Sequence, residues 1–84
     1  AEKYEMEQMM LQKAFENSYK VITKKVTFEE LMNLKGIFGQ KAILIYDPSE
    51  GYDEYILGDV IQYFEEEEEY EKCAELKKIL DEYV

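Results

Sequence analysis

Acidic side chains supply most of the chemistry that this sequence could carry. Five consecutive glutamates occupy positions 65–69, and the chain has twenty acidic residues, one cysteine and no histidine. Carboxylates can serve as general acids or bases, but that work needs two of them at a pocket, and acidic runs are typical of a solvated surface. Ser18, Ser49 and Cys73 have no histidine to activate them as nucleophiles. The sequence therefore predicts a protein that is not an enzyme.

Metal ions and cofactors have no recognisable site either. One cysteine without a histidine cannot form a structural zinc site. The segment from Asp47 to Asp53 has the composition of a calcium loop, but Gly51 stands at its fifth rather than its sixth position, and Gly58 replaces the closing glutamate. The four glycines of the chain do not form a phosphate-binding loop. We therefore expect no metal and no cofactor.

Net charge divides the chain into two unequal halves. Residues 1–46 carry six acidic and seven basic side chains, a net charge of +1, whereas residues 47–84 carry fourteen acidic and three basic, a net charge of −11. Such an acidic half repels nucleic-acid backbones and anionic membranes. We therefore expect no direct contact with nucleic acid or membrane, and the charge favours a protein partner with a basic surface.

Length and composition indicate one small acidic domain spanning residues 1–84. A chain of 84 residues supplies one core, and 14% aromatic residues is high for an acidic disordered segment. The single cysteine precludes an internal disulfide, which favours a reducing, cytoplasmic location. A domain with so small a core gains stability when a partner covers part of its surface. Both a monomer and a homo-oligomer are therefore compatible with the sequence.

Two helices are predicted in the near-neutral half, residues 1–46. Apolar residues at helical spacing predict an amphipathic helix over residues 3–19. Its methionines at positions 6, 9 and 10 either fill the core or form a docking face, and the core is the preferred interpretation. Thr27 and Glu30 have the spacing of a capping box, which predicts a short helix over residues 28–35.

Two short strands are predicted beside these helices. Residues 20–26 are rich in β-branched side chains, and residues 41–46 form an apolar run that ends at Asp47-Pro48. A lone strand leaves backbone groups unpaired, so we expect the two segments to form a two-stranded ribbon. The alternative is that residues 41–46 add to a sheet edge of another chain. The predicted fold class is therefore α+β and mainly α.

An antiparallel helical hairpin is predicted for residues 53–84. Apolar residues recur at helical spacing from Ile56 to Phe64 and again from Tyr70 to Tyr83. Like charges four residues apart weaken a helix, so the glutamate run favours a break near residues 67–69. The acidic run would then lie where the two helices are joined.

Within this segment, Tyr70 and Glu71 are followed by the small pair Cys73-Ala74 and by Leu76. This pattern, together with the acidic helix before it, resembles the UVR-type helical hairpin of bacterial nucleotide-excision-repair proteins and of some protease adaptors. The resemblance covers residues from about 54 to 82, and Lys77-Lys78 stand where that motif usually has Arg-Asp. It implies a hairpin that binds partner proteins.

Two functions compete on these observations. The first is a regulatory or adaptor protein that docks through its acidic, tyrosine-rich hairpin, because tyrosine is large, rigid and favoured in interfaces. The alternative is a small acidic inhibitor or DNA mimic, of the kind that phages encode, whose carboxylates occupy a basic nucleic-acid-binding groove of a host protein. The residues predicted to contact the partner are Tyr63, Glu66, Glu67, Glu68, Tyr70 and Leu76.

Overall fold

A computed structural model describes residues 2–33 and 43–83, with side chains from Glu7 onward. These residues form the helices α1 (Glu2–Ile22), α2 (Phe28–Asn33), α3 (Glu54–Glu66) and α4 (Tyr70–Tyr83). The chain divides into two compact units, residues 1–45 and residues 46–84. All of the excess negative charge falls in the second unit. None of the described helices is long and apolar enough to cross a membrane.

The turn that ends α1 contains a lysine in the left-handed backbone region, two residues after Ile22. Lys24 has φ 63°. Its N–H donates to the carbonyl of Val21 at 3.1 Å, and the N–H of Lys25 donates to the carbonyl of Lys20 at 2.9 Å. This pair of bonds is a Schellman motif, which satisfies the last free carbonyls of a helix and is usually built around glycine.

The capping box predicted for the second helix is confirmed. The N–H of Glu30 donates to Thr27 Oγ1 at 3.0 Å, and the N–H of Thr27 donates to Glu30 Oε1 at 3.3 Å. α2 is described as far as Asn33, so the last residues of the predicted helix, 34 and 35, lie outside the described range. Leu31 is its buried residue.

The core of the first unit lies along the second half of α1. Ala14, Ser18, Tyr19 and Ile22 are buried there, at the three- and four-residue spacings of one helix face. The hydroxyl of Ser18 accepts the N–H of Ile45 at 3.0 Å. The amide of Asn17 donates to the carbonyl of Ile43 at 3.1 Å. Side chains of α1 therefore hold the segment 43–45 against the helix.

The predicted two-stranded ribbon is wrong, and the described chain is all helical rather than α+β. Residues 20–22 continue α1, and residues 23–26 form the turn that follows it. Residues 43–46 contain no strand, while 41 and 42 lie outside the described range. The helix continues because Ile22 lies one turn beyond Ser18 and can be buried only if the helical register is kept, which outweighs a weak β preference.

The predicted hairpin is confirmed in the second unit. α3 and α4 pack against each other and are joined by only three residues, so they run antiparallel. Asp53 caps α3 by accepting the N–H of Ile56 at 2.9 Å. At the other end Glu68 has φ 60°. The N–H groups of Glu68 and Glu69 bond to the carbonyls of Glu65 and Phe64, at 3.1 and 2.9 Å. The break near residues 67–69 is therefore a second Schellman motif.

The hairpin closes over its own apolar residues. Both helices turn their apolar stripes toward each other, and burying a large apolar side chain contributes about 1.5–3 kcal/mol. The buried residues are Leu57, Val60, Ile61, Phe64, Cys73 and Leu76.

Candidate partner-binding surface

The end of the hairpin where α3 meets α4 carries a run of exposed carboxylates. We call residues 65–71 the acidic tip. Glu66, Glu67 and Glu68 are exposed, and none of them forms an ion pair with any residue that the structure describes. Tyr70, the first residue of α4, is 64% exposed. A shallow, open depression runs along residues 68–72. Three free carboxylates and an exposed aromatic ring thus share one end of the hairpin.

Two lysines neutralise the flanks of the acidic tip but not its centre. Lys77 Nζ lies 3.3 Å from Glu65 Oε1, and Lys72 Nζ lies 3.1 Å from Glu69 Oε1. Lys72 Nζ also lies 5.0 Å from the centre of the Phe64 ring, where the ring face attracts a cation. Against the six glutamates at 65–69 and 71, two lysines leave a net charge of −4.

Two of the six predicted contact residues lie away from the exposed part of the tip. Leu76 is fully buried between the helices, so it stabilises the hairpin and offers no surface to a partner. Tyr63 is half-buried, and its ring meets Phe64 edge-on, with centroids 5.1 Å apart. The structure therefore brings together Glu66, Glu67, Glu68 and Tyr70, and it assigns the apolar stripe to the core.

The thiol of Cys73 lies beneath this surface. It is buried and lies 3.6 Å from the carbonyl oxygen of Ile61, to which it donates a hydrogen bond. Burial raises the pKa of this thiol, and the carboxylate of Glu65 raises it further. A buried thiol with a raised pKa is a poor nucleophile.

A cluster of three tyrosines lies at the opposite end of the hairpin and escaped the sequence analysis. The rings of Tyr46 and Tyr52 meet edge-on, and those of Tyr52 and Tyr83 are tilted, with both centroid pairs 5.9 Å apart. Burial raises the pKa of Tyr46 and of Tyr52, and the neighbouring ring Tyr83 adds to the effect at Tyr52. Tyr46 and Tyr52 flank the turn at residues 47–51, but Tyr83 lies 31 residues farther along the chain, and no local pattern signals that the three rings meet.

The calcium-like segment before α3 is a turn held by its own side chains. Asp47 Oδ1 accepts both the N–H of Ser49, at 2.9 Å, and its hydroxyl, at 2.7 Å. These two bonds hold the pKa of Asp47 below its usual value. Gly51 has φ 78°, a backbone angle that glycine adopts at little cost. No cluster of acidic or cysteine side chains suited to a metal ion occurs among the described residues.

Comparison of the chain with models of protein families, with curated proteins and with solved structures finds no match. The resemblance to UVR-type hairpins stays a prediction, because none of these comparisons tests it. The candidate surface is therefore judged on its geometry and charge.

Proposed function

We propose that this protein is a non-enzymatic protein-binding module, a regulatory or adaptor protein, that docks onto a basic surface of a partner through its acidic tip. One observation carries the proposal. The hairpin buries its apolar stripe internally, while Glu66, Glu67 and Glu68 stay exposed beside the exposed ring of Tyr70 and form no ion pair with a described residue. We place the protein in the cytoplasm, where the single thiol of Cys73 meets no oxidising partner.

The chemistry of the tip suits arginine and lysine side chains of a partner. Carboxylates form charge-assisted hydrogen bonds with a guanidinium, and a tyrosine ring can stack on the same group. Because Lys72 is held by Glu69, its charge does not repel an approaching cation. In this proposal Tyr70 is the anchor that loses most solvent on binding, and the carboxylates guide the approach and fix the orientation.

The DNA-mimic function is supported by the same free carboxylates. A mimic uses charge alone, since its carboxylates take the places of phosphates in a basic groove. The two functions therefore differ in which side chains carry the affinity. An adaptor depends mainly on Tyr70, whereas a mimic depends mainly on Glu66, Glu67 and Glu68.

The deciding experiment compares two tip variants with a charge-matched control. The purified protein is immobilised, a partner is captured from a lysate of the source organism, and the affinity of the purified partner is then measured for each variant. The tip variants are Tyr70→Ala and the triple change of Glu66, Glu67 and Glu68 to Gln. The control removes three exposed charges of the same unit elsewhere, by Glu50→Gln, Asp59→Asn and Asp81→Asn.

Docking through the acidic tip predicts at least a tenfold loss of affinity for Tyr70→Ala, as is usual for an aromatic anchor. The triple change should cost less than this at physiological salt, because exposed charges act mainly on the association rate. The DNA-mimic function would be established if the triple change lowered the affinity more than Tyr70→Ala did. In that case the loss should be far more than tenfold, and the affinity should depend less on salt concentration. If neither variant differs from the control, the acidic tip is not the binding surface.

A further inference from the structure

Residues 7–13 of α1 bury none of their side chains. All seven residues from Glu7 to Lys13 are exposed, whereas the buried face of the helix begins only at Ala14. Met9 is 60% exposed and Met10 is 47% exposed. The preferred interpretation that the methionines fill the core is therefore wrong for these two. Two helical turns that bury nothing are marginal in water, since most helical stability comes from packing.

Met9 and Met10 share one face of the helix with a lysine. Lys13 follows them at the four- and three-residue spacings that place side chains on the same face. Lys13 is exposed and forms no ion pair with a described residue. Met9 and Lys13 lie about 140–180° around the helix from the buried Ser18 and Ile22, so the middle of this face points away from the buried stripe. Met10 lies at the edge of the face, about 80° from Ser18. The patch is thus free to meet another surface.

Charge along α1 indicates what that surface is. Residues 2–8 contain three acidic and one basic side chain, a net charge of −2, and Lys13 lies just beyond the methionines on the other side. If two copies of α1 pack antiparallel about Met9 and Met10, Lys13 of each copy faces the acidic first turns of the other. A parallel pair would instead place Lys13 against Lys13. The antiparallel helix dipoles add to the preference.

We propose that the protein forms a homodimer through α1, in which Met9 and Met10 of one copy pack against Met10 and Met9 of a second, antiparallel copy. Such a twofold interface is self-complementary, so each contact occurs twice. Methionine suits the role because its flexible side chain adapts to a facing helix. The surface lies in the other unit from the acidic tip, so it is independent of the proposed docking function.

Sedimentation equilibrium of the full chain tests the proposal. Because the patch is much smaller than a standard interface, we expect a dissociation constant of roughly 10–100 µM. Met9→Glu with Met10→Glu should weaken dimerisation at least about 100-fold, since four buried methionines are replaced by charges. The matched control is Gln8→Glu with Gln62→Glu, which adds the same charges at two exposed positions, one on the far side of α1 and one in α3.

A wild-type chain that is monomeric at about 1 mM would overturn the proposal, as would a control that dissociates the dimer as strongly as the methionine variant. The antiparallel arrangement has its own test. Lys13→Glu should weaken the dimer about tenfold, and adding Glu5→Lys, four residues before Met9, should restore most of the affinity at the wild-type net charge. Failure of that restoration would refute the antiparallel arrangement.

Discussion

Replacing Glu68 by glycine should stabilise the hairpin. Glu68 has φ 60°, and a residue with a side chain in this left-handed region costs about 1–2 kcal/mol. Glycine relieves this cost but loses about 0.5–1 kcal/mol through the greater freedom of the unfolded chain. Because the Schellman bonds of the motif use backbone atoms only, the substitution leaves them in place. The expected net gain in the free energy of unfolding is therefore about 0.5–1 kcal/mol.

Two further variants separate the backbone from the charge. Glu68→Gln removes the same carboxylate but keeps a side chain at φ 60°, so it measures the relief of repulsion among the neighbouring glutamates. Glu67→Gly changes the residue just before, which has φ −85° and no left-handed strain to relieve. Glycine at position 67 should therefore destabilise the hairpin by about 0.5–1 kcal/mol.

Urea unfolding at fixed ionic strength, followed by far-UV circular dichroism, measures all three variants. In thermal melts of a domain of this size, the same gain of about 0.5–1 kcal/mol would raise Tm by roughly 2–8 °C. The reasoning about backbone strain is refuted if Glu68→Gly is no more stable than Glu68→Gln, because the gain would then come from the lost charge alone.

Four other results are expected. Leu76→Ala should lower the free energy of unfolding by about 2–4 kcal/mol in urea titrations, because the side chain is fully buried, and a loss below about 1 kcal/mol would contradict its place in the core. Ser18→Ala should cost about 1–3 kcal/mol in the same assay, since the N–H of Ile45 loses its acceptor. Cys73 should react with a thiol reagent at pH 8 at least about 100-fold more slowly in the native protein than in urea, because reaction needs local opening. The raised pKa of Tyr52 predicts that stability holds below about pH 10 and falls as the pH rises through the raised value, and Tyr52→Phe should make that fall shallower in thermal melts.

Local chemistry made some elements predictable from the sequence. The capping box of Thr27 and Glu30 is a contact between residues three apart, and it forms as expected. The hairpin was predictable because its apolar spacing extends over two helices and because a run of glutamates opposes a continuous helix. The positions of Glu66 at the end of α3 and of Glu67 and Glu68 in the exposed turn after it follow from that same break.

Other features depend on contacts that no local pattern reveals. Residues 43–46 were expected to need a strand partner, but Asn17 pairs with the carbonyl of Ile43 and Ser18 with the N–H of Ile45 instead. Nothing in the sequence indicates that polar side chains of a helix will form hydrogen bonds with the backbone of a distant segment. The same holds for Met9, whose type and spacing are equally typical of a core and of an exposed face, so only packing decides between them.

The division of the chain into two units has a consequence for how the protein responds to ionic strength. The unit of residues 46–84 carries a net charge of −11, whereas residues 1–45 carry +1. Dissolved salt weakens the repulsion among the carboxylates of residues 46–84. It changes little in residues 1–45, whose charges nearly balance. The Debye length is about 30 Å at 10 mM salt and about 8 Å at 150 mM, so the hairpin experiences its full self-repulsion only in dilute buffer. Desalting should therefore loosen one unit while the other stays folded, and amide hydrogen exchange would show that difference residue by residue.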